Sequence, residues 1–388
     1  MIAQEEKKIY ARVLLEIGID LKEGQPLLVE ASTGQEEFVQ LLRDQAYDMG
    51  CPDVGILWYA DTPDLTLAED YAVRGAGYLR LDSPQVQGVS NLSAQELSRK
   101  GVQEAKVREI FRSKAAGCGQ TIACVPSQSW ADLAFSDLPS EQRLEQLWET
   151  VLECTRCREV DPTAAWKDYL DKTARKKKLL DQKGYTEFYY HDACGTDLHI
   201  RPAEGDIWKG SCIPAKDRVS VPNIPTEEVF LTPHKYGVNG TVHSTLPLNY
   251  KGNLIEGIKL EFENGRIVGL QAARGEELLQ AIVDTDEGGR YLGEMALVDQ
   301  SSGIARTGRV FYTTLYDENA SCHLAIGNAL GFVRDPAERE RRGMNTSSIH
   351  VDFMIGSDSL CIDARLPDGT WEPVFVNGHW ALTLPERE

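Results

Sequence analysis

Residues 26–58 read PLLVEASTGQEEFVQLLRDQAYDMGCPDVGILW. Pro26-Leu27-Leu28-Val29 is a short apolar run after the turn KEGQ at 22–25, and it predicts a strand. Over 34–49, Phe38, Leu41, Leu42 and Ala46 recur at helical spacing and form one apolar face. Val54-Gly55-Ile56-Leu57-Trp58 predicts a second strand. Two strands joined by a crossover helix run parallel, so the stretch is one βαβ unit.

Outward from that unit the alternation continues. Val13, Leu14 and Ile17 predict a helix over 4–17, a further helix is expected near 102–115, and TIACV at 121–125 predicts a strand. Two longer helices close this half near 140–155 and 162–183. The second ends in Arg175-Lys176-Lys177-Lys178, read as a solvated last turn that complements the helix dipole. From residue 184 the texture changes. Segments 187–190, 197–200, 257–262 and 266–270 predict strands, with turns at Asn264-Gly265, Pro367-Asp368-Gly369 and Asn377-Gly378. Short helices are expected at 275–284, 288–294 and 320–329. The expected fold class is an α/β N-terminal domain over 1–183, with a parallel sheet and closing helices, followed by an α+β C-terminal domain over 184–388.

The chain has 388 residues, enough for two domains of roughly 100–200 residues each. Either half can bury a core without disulfide or metal staples. Lys plus Arg is 41 and Asp plus Glu is 60, a net charge of −19. Such a chain repels phosphate backbones and anionic lipid, which argues against nucleic-acid and membrane partners. No apolar run approaches the roughly 18 residues of a membrane span. The opening MIAQEEKKIYARVLLEIGIDL reads as an amphipathic helix rather than a signal peptide. The nine cysteines include one C-x-x-C, Cys154 and Cys157, with no second pair or nearby histidine. Reduced thiols in a cytoplasmic protein are the expectation.

Phosphate loops, a G-x-S-x-G elbow and H-E-x-x-H are all missing from the sequence. The chemistry sits elsewhere. In Ser348-Ile349-His350-Val351-Asp352-Phe353, strand periodicity projects His350 and Asp352 to one face and Val351 and Phe353 to the other. An imidazole and a carboxylate in an apolar strand call for a partner: a divalent cation, a mutual hydrogen bond, or water at an edge. A second cluster, Asp317-Glu318-Asn319 and His323, precedes the apolar run Leu324-Ala325-Ile326-Gly327, read as a helix that Asp317 or Asn319 would cap. Glu294 lies at the junction of a helix and an apolar run, and Glu228 in Thr226-Glu227-Glu228-Val229. Each acid alone is read as a surface group.

The segments NIPTEEVFLTPHKYGVNGTV (223–242), DTDEGGRYLGEMALV (284–298), LYDENASCHLAIGNA (315–329) and MNTSSIHVDFMIGS (344–357) resemble the signature blocks of the thermophilic-type metallo-aminopeptidases, the aminopeptidase T family. They occur in the family's order. LLEIGIDLKEGQPLLVEAS (14–32) and SQSWADLAFSDL (127–138) fit it more loosely. The resemblance implies that the C-terminal domain binds metal through Glu228, Glu294, His323, His350 and Asp352, with Glu318 as a sixth ligand. Glu228 and Glu294 are 66 residues apart, and Glu294 and His323 are 29 apart, as in the family. It further implies two divalent ions (zinc or cobalt, with manganese or iron as further options), removal of N-terminal residues from peptides, and an elongated homodimer enclosing its active sites.

The donor chemistry agrees with those implications. Four carboxylates and two neutral imidazoles carry a formal charge of −4, which two divalent cations cancel. Glu294 is expected to bridge the ions. Asp317 is expected at the rim, holding the free α-amino group of the substrate.

One departure stands out. Seven residues beyond its histidine the family carries a tyrosine, in G-x-A-Tyr-Pro, whereas this chain reads Gly327-Asn328-Ala329-Leu330-Gly331. Leucine cannot donate to an oxyanion, and loss of one such donor typically costs about 2.7–4 kcal/mol, or 10²–10³ in rate. Either turnover of peptides is slow, or Tyr236, Tyr312 or Tyr316 substitutes, or the substrate is a small amide or another metabolite. The 2,5-dihydroxypyridine dioxygenases resemble this family in fold and use a His–His–Asp iron site. The matching set is His323, His350 and Asp352, against which Glu228 and Glu294 speak, because one iron needs neither. A non-enzymatic metal- or peptide-binding scaffold is the third reading.

Overall fold

The computed structural model describes residues 2–59, 64–82, 84, 106–215, 217–331 and 333–385. The chain divides into two compact units. One comprises Met1–Leu170 with Ser211–Thr226, the other Asp171–Gly210 with Glu227–Glu388. The division therefore falls within the long helix Pro162–Lys183 rather than at its end, and residues 211–226 return to the first unit because Asn223–Ile224 adds a strand to its sheet.

The first unit is built on a five-stranded parallel sheet in the order Val54–Trp58, Leu27–Ala31, Gly77–Asp82, Gln120–Cys124, Asn223–Ile224. Leu27 pairs with Val54 on one side and Gly77 on the other, so Leu27–Ala31 is an interior strand and wholly buried. That explains its unbroken apolar run, since parallel strands are covered on both faces. The crossover helix Glu36–Asp48 buries Phe38, Leu41, Leu42 and Ala46, the face read from the sequence, together with Val39. The N-terminal helix Gln4–Val13 continues as a π-helical turn over Leu14–Ile19. Of the helix expected near 102–115, residues 106–114 are helical and 101–105 lie outside the described residues.

The second unit holds two antiparallel sheets. The larger has eight strands, in the order Arg266–Gln271, Lys259–Glu263, Pro233–His243, Asp197–Pro202, Glu187–His191, Cys361–Arg365, Trp371–Val376, His379–Trp380. Asn264 and Gly265 turn its first hairpin with φ of 48° and 82°, and Asn377 and Gly378 its last with 53° and 78°. The smaller sheet has four strands, Val229–Leu231, Leu292–Leu297, His323–Gly327 and His350–Met354. Phe188, Leu198 and Ile200 of the larger sheet share one core with Met295, Leu324, Ile326 and Phe353 of the smaller.

Two sequence expectations fail here. The segment 320–329 is no helix: His323–Gly327 is a strand between two neighbours, buried along its whole length. Likewise 288–294 is a single 3₁₀ turn, Glu287–Arg290, leading into the strand Leu292–Leu297. Short apolar runs buried on both faces lack the alternation that separates strand from helix. The basic run is also less solvated than expected. Lys176 lies 5.1 Å over the Trp380 ring, and Lys177 donates to the Gly210 carbonyl at 3.0 Å. No helix among the described residues is long and apolar enough to cross a membrane.

Candidate metal centre

One face of the four-stranded sheet carries the site. The antiparallel register sets Glu294 opposite Ala325 and Ala325 opposite Asp352. The flanking rows are Ala296–His323–Met354 and Gly327–His350. Residues two apart on a strand share a face, so Glu294, His323, His350 and Asp352 project together. Ala325 and Gly327 lie among them and add no bulky side chain to that face. Gly327 is required twice over, by its φ of 104° and by the Ile349 carbonyl oxygen, which would sit 2.3 Å from an added Cβ. Glu228 joins from the residue before the edge strand Val229–Leu231.

The donor atoms form two groups, Glu228 with Glu294 and His323, and Glu294 with His350 and Asp352. Within each group they lie within 4.8 Å of one another, and Glu294 belongs to both. His323 Nε2 is 3.1 Å from Glu228 Oε2 and 3.7 Å from Glu294 Oε1. His350 Nε2 is 3.3 Å from Asp352 Oδ1 and 3.8 Å from Glu294 Oε2. All are buried apart from His350, whose side chain is 19% exposed.

Both imidazoles are oriented from behind. His323 Nδ1 is 3.0 Å from the Ser321 carbonyl oxygen and His350 Nδ1 is 2.8 Å from that of Asn328. A carbonyl only accepts, so each Nδ1 carries the hydrogen and each Nε2 faces the carboxylates. An Nε2 lone pair and a carboxylate oxygen repel unless positive charge lies between them, a proton in the metal-free site or a metal cation in its place. Metal-binding histidines are held in this way, with the far ring nitrogen donating to a carbonyl or carboxylate. Burial opposes charge on His350, yet Asp352 and Glu294 raise its pKa to about 10. Burial, with Glu228 close by, raises that of Glu294. Glu294 Oε2 is buried and accepts no hydrogen bond among the described residues, an arrangement that costs free energy unless a cation meets it. These residues therefore fit divalent ions.

Glu318 is buried beside the site but belongs to neither group. Burial first, then Asp352 and Glu228, push its pKa up, which places it in the field of the same carboxylates. Asn319 ties the pieces together. Its Nδ2 donates to Leu315 O at 2.8 Å and to Glu318 Oε1 at 3.4 Å, and its Oδ1 accepts from Glu227 N at 2.7 Å. Asp317 does not stand at a rim. It is 2% exposed, and its two oxygens accept from the amides of Phe311 (2.7 Å) and Thr313 (3.1 Å). It braces a loop: each oxygen already serves a backbone amide, and burial keeps the carboxylate from a substrate's α-ammonium at a rim.

Leu330 is 41% exposed, and its carbonyl accepts from Thr232 Oγ1 at 3.4 Å. Of the three tyrosines considered as substitutes, Tyr316 is fully buried with its ring 5.1 Å from Phe311, and Tyr236 is largely exposed. Tyr312 is half-buried with a φ of 55°, its carbonyl accepting from Asn249 Nδ2 at 2.7 Å. Sequence reasoning missed the roles of Ser321, Asn328 and Asp286 behind the ligands, and it read Asn319 only as a helix cap. Asp286 accepts from Ser347 Oγ, Ser348 Oγ and Ser348 N at 2.6–2.7 Å, just before His350. Backbone acceptors have no side-chain signature, so only the serine pair before IHVD offered a hint.

A family model described as thermophilic metalloprotease (M29) matches residues 3–380. The chain is similar to Aminopeptidase 2 of Geobacillus stearothermophilus, at 36% identity over 98% of this chain and 99% of that one. Its structure is similar to wild-type AmpT from Thermus thermophilus, with a TM-score of 0.88 and 31% identity over 98% and 100% of the two chains. It also shares a fold with 2,5-dihydroxypyridine dioxygenase from Pseudomonas putida, with a TM-score of 0.56 at 15% identity over 99% of each chain.

Proposed function

The chain belongs to the thermophilic metalloprotease (M29) family, and from that premise we propose that it is a dinuclear metal-dependent aminopeptidase that releases N-terminal residues from peptides or small amides. The observation that carries this reading is the pair of donor groups sharing Glu294. Glu228 and His323 would hold one ion, His350 and Asp352 the other, with Glu294 between them and Glu318 as the outer, sixth ligand. Divalent ions in such a pair supply Lewis acidity toward a scissile carbonyl and lower the pKa of water. The chain's own part is orientation and charge. Ser321 and Asn328 fix the two imidazoles, and Ala325 and Gly327 place no bulky side chain among the ligands. Zinc or cobalt suits this oxygen and nitrogen set.

Leu330 favours a second reading within the same chemistry, a substrate other than a peptide, because the position offers an apolar contact where the family resemblance places a phenol. A mononuclear iron held by His323, His350 and Asp352 would not require Glu228 or Glu294 as ligands. The reading also carries a homodimer, and light scattering showing a monomer at micromolar concentration would remove it.

The test is turnover. Metal-stripped protein restored with zinc, cobalt or manganese is offered aminoacyl amides and their N-acetyl counterparts. The reading expects metal-dependent release from free amines only. Absence of turnover on every aminoacyl amide with every metal contradicts it.

A further inference from the structure

Behind His350 lies an arginine that no carboxylate neutralises among the described residues. Arg339 sits on the short helix Pro336–Arg341, which Asp335 caps by accepting from Ala337 N. Its Nη2 donates to the carbonyls of Asn345 (2.7 Å) and Ala329 (2.9 Å) and to Asn328 Oδ1 (3.2 Å). Nη1 donates to Val333 O at 3.2 Å and Nε to Thr346 Oγ1 at 3.3 Å. Every partner is a neutral oxygen, and burial lowers the arginine's pKa. A half-buried guanidinium with no counterion is costly, and its forked donors are spent on joining two chain segments, 328–333 and 345–346.

Asn328 is the link to the site. Its side chain meets Arg339, its amide donates to Ile349 O at 2.7 Å, and its carbonyl accepts from His350 Nδ1 at 2.8 Å. The same segment carries Leu330 and Gly331. We propose that Arg339 is a positioning residue: by clamping Asn328 and Ala329 it aims the carbonyl that orients His350, and so sets affinity for the ion on the His350–Asp352 side. The inference rests on the dinuclear reading. His323 is oriented instead by Ser321 and lies outside the clamp.

The test is calorimetric titration of metal-free, folded protein with cobalt(II), comparing the parent with Arg339→Lys, Arg339→Ala and Asn328→Ala. Loss of an outer partner of a metal-bound histidine typically costs 10–100-fold in affinity. Both arginine variants should show that loss at one of two ions and leave the other unchanged. Lysine should not rescue, because a point charge cannot span five acceptors. Asn328→Ala, which removes one of the five acceptors of Arg339 together with the side chain's own bonds to Ala329 O and Ser347 N, should weaken the same ion by less, and it reads the link if Arg339→Ala fails to fold. Two unchanged ions in the folded variants, or equal weakening of both, overturns the inference alone. A parent that takes up no ion, or only one, overturns the dinuclear reading and this inference with it.

Discussion

The two faces of the four-stranded sheet are made from the same strands, one residue out of step. One face presents Met295, Leu297, Leu324, Ile326, Val351 and Phe353 to a core shared with the eight-stranded sheet. The other presents Glu294, His323, His350 and Asp352, with Ala325 and Gly327 among them. Fully burying an apolar side chain contributes about 1.5–3 kcal/mol, while buried carboxylates facing one another cost stability in the absence of cations. The comparison teaches that this sheet separates folding from chemistry by strand alternation. The apolar face holds the backbone rigid enough to keep like charges together on the other.

The strongest way to break that comparison is to remove ligands. Glu294→Ala and His350→Ala should each lower metal-dependent turnover by more than about 10²-fold, beyond the 10–100-fold typical of an outer partner alone. Circular dichroism should show the parent fold in both. The metal-free Glu294→Ala protein should be at least as stable as the metal-free parent, since burial and Glu228 penalise that carboxylate. Full metal occupancy in both variants would contradict the ligand assignment.

On the other face the effect should be on folding instead. Phe353 is 1% exposed, and Phe353→Ala should cost about 3–5 kcal/mol of unfolding free energy. Metal uptake by the fraction that remains folded should be unchanged, which denaturant unfolding with and without zinc can measure.

Leu330→Tyr sharpens the chemical face. If the substrate is a peptide, the restored phenol should raise kcat and kcat/KM together, by less than the 10²–10³ assigned to a full oxyanion donor. The resemblance places a proline where this chain has Gly331, and a glycine there would hold the ring less firmly in place. A fall in activity on a non-peptide amide, with peptides inert, would move the substrate class.

The smallest expected effect concerns the support before His350. Burial raises the pKa of Asp286, but its hydrogen bonds from Ser348, Ser347 and Gly289 outweigh that and bring it down to about 2. A depressed carboxylate stabilises above its unfolded pKa, near 3.9, and the contribution is lost as pH falls toward 2. Asp286→Asn should remove on the order of 1–2 kcal/mol of pH-dependent stability in that window. Parallel pH–stability curves for parent and variant would show that the brace contributes nothing.

How much of this was legible in the sequence depends on burial. His350-Val351-Asp352-Phe353 alternates because its strand has one apolar and one polar face, so its side-chain directions were readable. His323–Gly327, between two neighbours with small or apolar residues on both faces, offered no alternation and read as a helix. The parallel strands of the first unit were legible because turns and crossover helices punctuate them. Asp317 and Glu318 are adjacent acids in one local motif. Nothing in their order says that Asp317 turns onto the amides of Phe311 and Thr313 while Glu318 stays beside the site. Arg339 was invisible because four of its five contacts are to backbone oxygens or to an asparagine side chain, and neither leaves a pattern in the residues around the arginine.

The central claim is that the polar face of this sheet is a two-ion site with Glu294 shared between the ions. Elemental analysis of the purified protein after dialysis against trace zinc or cobalt tests it most directly. The account predicts about two divalent ions per chain, falling in Glu294→Ala. A single oxygen-sensitive iron per chain, or no bound metal at saturating zinc and cobalt, would contradict it.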